Sequence, residues 1–395
     1  MKVIESIWDA GPNELLMVSE AALNTLPTAS KNSPYADDPL RGAANLLSHC
    51  VGLRNGDSML LVTEPAGSRY YEPEVARCIA DAARRMGADV SFFEAGPAGG
   101  PESAPAELLD AIERVDHTLF LSRIGDQLRF AALPGPGTKS MTYTLGIRHL
   151  AGGFAGARHD VMEEMRGRIM SLIAGSRRYT ISCPRGTQLE MRIDGDELAA
   201  LRSASGFTVR NFPVMIIPPI PASGLSGRLV ISHALTSTGI HEYEDSVVPL
   251  PSPVTLTLEA GKIVKIEGEP KLVARVEAQV ERIDRRFGGE GRRLGSWHAG
   301  INPFTFFERR ALEDIDRWNG VAFGSPRYAH FHLCGALPGD ICAQVFDPTI
   351  RFDDETLWQD GTLAALNTAP LDGLLKQLEV PPEMLWMRQD IGVPL

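Results

Sequence analysis

The chain has 395 residues, with 39 Lys+Arg against 50 Asp+Glu for a formal net charge of −11, and 44% of its residues are hydrophobic. That length exceeds what one hydrophobic core usually organises and predicts two or three domains with a cleft between them. The acidic balance argues against a nucleic-acid backbone or an anionic lipid surface as partner, since both select basic faces, and the hydrophobic content excludes a disordered chain.

The N-terminal stretch MKVIESIWDAGPNELL carries acids and no long apolar core, and nowhere do 18 apolar residues run together. Neither a signal peptide nor a membrane span is expected. Five cysteines (Cys50, Cys78, Cys183, Cys334, Cys342) are scattered without a CxxC pair, which indicates neither a disulfide framework nor a thiolate zinc site and fits a reducing cytoplasm.

Residues 58–64 (SMLLVTE) form an apolar run between turn residues, and PEVARCIADAARRMGAD then carries apolar residues at helical spacing up to Gly87. Strand then helix is the reading. VSFFEAG (90–96), the helical APAELLDAIERVD and HTLFLS (117–122) repeat the alternation, which predicts a parallel α/β sheet flanked by helices over residues 1–177. PAGSRYYEP follows the first strand in place of a GxGxxG, so a dinucleotide site is not expected.

From 178 to 395 the texture predicts a mixed α+β domain that carries the site. YTISCPRGTQLEMRIDGD reads as two strands around Pro184–Gly186, and NFPVMIIPPIPASGLSGRLVISHAL adds further strand-like runs. PSPVTLTLEAGKIVKIEGEP reads as a hairpin about Ala260-Gly261, followed by a helix in KLVARVEAQVERIDRRFGGEG that Gly288 and Gly289 end.

Chemistry concentrates in RYAHFHLCGALPGDICAQVFDPT (327–349). If 328–334 is a strand, alternation puts His330, His332 and Cys334 on one face, with Cys334 a candidate substrate contact. In ICAQVFD, Asp347 closes the row Ile341, Ala343, Val345, and a carboxylate ending an apolar row requires a metal or a cationic partner. GSWHAGINP (295–303) places His298 in a Gly- and Pro-punctuated loop. Two histidines and a carboxylate form the facial triad of non-haem Fe(II) oxygenases, and a similar set holds catalytic zinc. The alternative is a hydrogen-bonded core histidine pair with Asp347 as a turn residue before Pro348. Arg123, after the third strand, is a candidate clamp for an anionic substrate group, or else an ion-pair partner of Asp126. HEYED (241–245) and DDE (353–355) read as solvated acidic loops.

The order of these segments resembles a known family. RNGDSMLLV, RRMGADVSFFE, ISCPRGTQLEMRIDG, NFP, SGRLV, LEAGKIVKIEG, RLGSWHAGINP, HFHLCGALPGD, VFD and QDG, over roughly residues 50–365, are similar to the thermophilic-type metalloaminopeptidases (aminopeptidases T and S). That superfamily includes the iron-dependent 2,5-dihydroxypyridine 5,6-dioxygenase. The peptidase ligands implied by the resemblance are missing at several positions: Val214-Met215-Ile216 stands where the first metal-binding Glu follows the NLP-type motif, Ser296 replaces the second, and Val345 replaces the His of His-x-Asp. A two-metal centre needs bridging carboxylates, so peptidase activity is not expected. The resemblance instead implies one Fe(II) on His298, His330 or His332, and Asp347, with His330 and His298 as catalytic groups. The expected function is ring cleavage of a small hydroxylated aromatic or N-heterocycle by a homodimer. A zinc-dependent hydrolase of a small amide or lactam and a metal-free, non-catalytic small-molecule binder are the alternatives.

Overall fold

The structure, a computed structural model, describes residues 38–65, 67–193, 207–241, 243–288, 291–334, 340–371, 373–378 and 385–393. The readings made on residues 1–16, on Asp194–Asp196, Glu242 and Gly289, and on GALPG at 335–339 lie outside that set.

The first layer is built as the alternation predicts. Strands β1 (Ser58–Thr63), β2 (Asp89–Glu94), β3 (His117–Leu121) and β4 (Thr138–Thr142) pair in parallel in the order β2-β1-β3-β4. The parity of β1 explains its near-continuous apolar run. Met59 and Leu61 enter one buried cluster with Val75 and Ile79 of helix α1 (Pro73–Arg85), while Leu60 and Val62 enter another with Leu108 and Ile112 of helix α2 (Ala106–Glu113). A strand covered on both faces has no polar face to show in its sequence.

Four strands follow: β5 (Arg178–Ser182), β6 (Gln188–Arg192), β7 (Arg210–Phe212) and β8 (Ile220–Pro221). β7 pairs in parallel with β4 and completes the first sheet at five strands, so residues beyond 177 contribute to that sheet. β9 (Ser226–Ser237), β10 (Val248–Glu259) and β11 (Lys262–Glu267) form antiparallel pairs. The hairpin between β10 and β11 turns through Ala260 at φ 45° and Gly261 at φ 73°, the left-handed pair that a two-residue hairpin demands. Helix α3 (Pro270–Phe287) buries Leu272, Val276, Val280 and Ile283, a three-to-four spacing, and stops at Gly288 with φ 69°.

β12 (Leu294–Ala299), β13 (Tyr328–Leu333), β14 (Ile341–Phe346), β15 (Thr349–Phe352) and β16 (Glu355–Trp358) complete a large, mostly antiparallel sheet ordered β16-β15-β5-β6-β9-β14-β13-β12-β8. All six residues of β13 and all six of β14 are buried. Trp297, Phe331, Ala343 and Val345 on one face of this centre pack into the main apolar cluster, which leaves the other face to line a cavity. Among the described residues no helix is long and apolar enough to cross a membrane.

Candidate metal centre

Register assembles the site. His298 lies directly opposite His330 in the β12–β13 ladder, and Ser296 lies opposite His332. Directly opposed residues of antiparallel strands share a face, and residues two apart on one strand do too. The three imidazoles therefore converge, with ring centroids 4.9 Å apart for His298–His330, 4.9 Å for His298–His332 and 5.0 Å for His330–His332. One ring nitrogen from each lies within 4.8 Å of the others. The expectation that 295–303 is a loop is corrected at its start: β12 runs to Ala299, with Gly295 and His298 inside it and Gly300 just past its end. Gly300 is needed for close approach, because a Cβ there would stand 2.1 Å from the Ser325 carbonyl oxygen.

Hydrogen bonds fix how these rings are presented. The Ile217 carbonyl lies 2.9 Å from His298 Nδ1 and can only accept, so Nδ1 carries the proton and Nε2 keeps its lone pair. His332 Nδ1 meets the Ser296 hydroxyl at 3.1 Å, and His330 Nδ1 is buried without a hydrogen-bond partner. Burial pushes His298 down to about 4 despite the carbonyl bond, with the Arg129 guanidinium lowering it further. Burial, followed by the neighbouring imidazoles and Arg129, holds His330 and His332 well below the usual range. Three neutral imidazoles presenting lone pairs from one sheet face fit a divalent transition-metal ion, as does the unpartnered buried nitrogen. Among the described residues no carboxylate joins them.

The same burial sets a pH dependence. His149 and His159 are likewise lowered to about 4, chiefly by burial. Below about pH 6.5 the unfolded chain takes up protons that these folded-state imidazoles refuse, so stability falls as pH drops from about 6.5 toward about 4. Melting temperatures of the chelator-treated protein across that range should decline steadily; a flat profile would show that the rings titrate normally.

The triad lines a cavity of about 320 Å³ whose walls come from both sheets: Arg123, Arg129 and Tyr143 from the first layer, Tyr243, Phe323 and Tyr328 from the second. Arg123 lines it, but its guanidinium meets both Glu64 oxygens, at 3.0 and 3.1 Å, and stacks 4.7 Å above the Tyr70 ring. Its carboxylate is thus Glu64 and not Asp126. Asp126 instead accepts from Arg129 and, at 3.0 Å, from the Tyr143 hydroxyl.

Two expected site residues are not brought to the triad. His330 pairs with Gln344, and His332 with Cys342, so the even-numbered residues of β14 share the histidine face and the row Ile341, Ala343, Val345 turns away from it. Asp347 follows that row with φ 51°, and its carboxylate receives Arg327 at 2.8 and 3.2 Å and Arg388 at 2.6 Å. The cationic partner, not a metal, satisfies it. Cys334 leaves the strand at φ 59°, and its thiol donates to the Gly291 carbonyl at 2.9 Å, away from the cavity lining. Cys342, opposite His332, is the cysteine that lines the cavity.

No family model matches the chain, and no curated protein sequence does. Among solved structures, 2,5-dihydroxypyridine dioxygenase from Pseudomonas putida KT2440 is similar in fold, with a TM-score of 0.55 over 86% of this chain and 100% of that one at 11% identity. At that identity the likeness concerns the fold. A chain from Corynebacterium glutamicum assigned to the LacI repressor family aligns at a TM-score of 0.19 with 14% identity, over 38% of this chain and 74% of that one, and carries no argument.

Proposed function

We propose that the protein is a metal-dependent oxygenase that opens the ring of a small hydroxylated aromatic or N-heterocyclic compound, with one divalent ion, iron(II), on His298, His330 and His332. The observation that carries this reading is three neutral, buried imidazoles converging on the wall of an aromatic-lined cavity. The fold likeness to a dioxygenase supports it. When bound there, iron(II) supplies the dioxygen-activating redox chemistry. The remaining tasks fall to the chain. Tyr70, Tyr143 and Phe323 offer apolar walls to a planar ring, and burial of the triad keeps bulk water from it. The guanidinium charges of Arg123 and Arg129 are already met by Glu64 and Asp126. Three neutral donors leave the ion's own charge uncompensated, which favours an ionised hydroxyl on the substrate.

One observation favours a second reading. A triad of imidazoles without a carboxylate is a catalytic-zinc donor set, whereas the usual non-haem iron triad has two histidines and a carboxylate. Zinc there would serve hydrolysis of a small amide or lactam. Elemental analysis of protein purified without oxygen, followed by oxygen-electrode assays with 2,5-dihydroxypyridine and simple catechols, separates the two. Near-stoichiometric iron with substrate-dependent oxygen consumption is expected. Stoichiometric zinc, no oxygen uptake after iron loading and cleavage of a lactam would overturn the oxygenase.

A further inference from the structure

His241 belongs to the HEYED segment that reads in sequence as a solvated acidic loop, yet it lines the same cavity as the triad. Its Nδ1 lies 2.6 Å from Asp340 Oδ1, and the Asp340 carboxylate is buried. The ring stacks on Phe287 with centroids 4.4 Å apart and planes at 18°. Asp340 itself is fixed by backbone N–H bonds to the carbonyls of Leu333 and Cys334, and its own carbonyl accepts from the Tyr243 hydroxyl at 2.8 Å. Asp340 stands one residue before β14 and two before Cys342, the residue paired with His332.

This is a built arrangement for moving a proton. A carboxylate can only accept, so His241 donates from Nδ1–H and its Nε2 holds the lone pair. The buried carboxylate fixes the tautomer and stabilises the imidazolium that forms, while the aromatic stack fixes the plane of the ring.

We propose that His241, oriented by Asp340, is the proton acceptor for the acidic hydroxyl of the aromatic substrate, an inference that rests on the oxygenase reading above. The O–H bond breaks toward Nε2, the electron pair stays on the substrate oxygen as a phenolate-type anion, and His241 leaves the step as imidazolium beside the Asp340 carboxylate. The proton returns to product or to solvent through the exposed edge of the ring, whose side chain is 23% accessible. Around the dyad stand Glu102, whose carboxylate and the His241 ring both adjoin Gly100, and Arg282 and Arg286 of α3, which lie over the Tyr243 ring. Asp126 and Arg129 hold the cavity wall beside Thr238 and Gly239. The variants below leave these surrounding groups in place.

The tautomer is tested first and without substrate: long-range proton–nitrogen spectra of the full-length protein should show His241 protonated at Nδ1 with Nε2 bare, and the reverse tautomer would overturn the proposal. The second test uses 4-nitrocatechol, whose absorbance reports ionisation of its hydroxyls, on metal-loaded protein. His241→Gln should keep its metal and bind the probe, but ionise it only at a pH about one unit or more above wild type. Turnover should fall about 10²-fold, the lower range for a lost general base, and added imidazole should partly restore it in His241→Ala. Asp340→Asn, which keeps the shape, should move both quantities in the same direction by about tenfold, and it carries the test if His241→Gln does not fold. Unchanged ionisation and turnover in a metal-replete variant would overturn the assignment. A metal-loaded wild type that binds no hydroxylated aromatic would instead overturn the oxygenase reading, with the tautomer still deciding the dyad.

Discussion

Alanine at His298 is expected to strip the protein of its metal while leaving it folded. His298 is the residue both other imidazoles approach, at 4.9 Å between ring centroids in each case. It is also the ring whose presentation is best determined, because Ile217 pins Nδ1 and leaves Nε2 for an ion. Even loss of a supporting hydrogen bond costs a metal site about 10–100-fold in affinity, so loss of the ligand should cost at least the upper end of that range. The cost to the fold should be smaller. The ring is neutral and buried, and its removal strands one backbone carbonyl, that of Ile217, at about 1–3 kcal/mol. Elemental analysis beside thermal melts would show metal falling far more than the melting temperature. Full metal content in the variant would remove His298 from the site and with it the three-imidazole centre.

The difference between this triad and the one the sequence suggests comes down to register. Alternation within one strand needs only local sequence, and on the facing of His330 and His332 that reading and the structure agree. Whether Asp347 shares their face depends on how β14 aligns with β13, and nothing in ICAQVFD encodes that parity. His330 opposite Gln344 settles it against Asp347. The glycines and the proline of GSWHAGINP read locally as loop punctuation, yet His298 lies within β12. Its strand partners are residues 329–333, some thirty positions on, and local reading cannot see them. The HEYED segment misleads for the same reason: the partner of His241 is Asp340, 99 residues away. In the first sheet long-range information mattered less. Strands β1 and β3 are buried on both faces, and two buried faces write themselves into the run of apolar residues. The short strand β7 escaped because three residues carry no period.

Asp347→Asn is expected to destabilise the fold and to leave metal content unchanged, the reverse of what a ligand would do. The carboxylate is held by Arg327 through Nε at 2.8 Å and Nη2 at 3.2 Å, both side chains nearly inaccessible, and by the exposed Arg388 at 2.6 Å. Arg327 also donates to the Gln389 carbonyl at 2.9 Å, and Trp318 Nε1 to the Ile391 carbonyl at 2.6 Å. The cluster thus fastens residues 388–391 onto the end of β14. An amide of the same shape keeps one acceptor but leaves the buried Arg327 charge without its counter-ion, and removing one partner of a buried pair costs about 3–5 kcal/mol. Asparagine does tolerate the left-handed backbone that Asp347 adopts at φ 51°, so the loss reports the charge and not the turn. Urea unfolding with elemental analysis on the same preparation gives both quantities. A large loss of stability with metal retained is expected. Loss of metal with wild-type stability would return Asp347 to the metal centre and require β14 to sit one residue out of the register described above, since a one-residue slip exchanges the two faces of a strand.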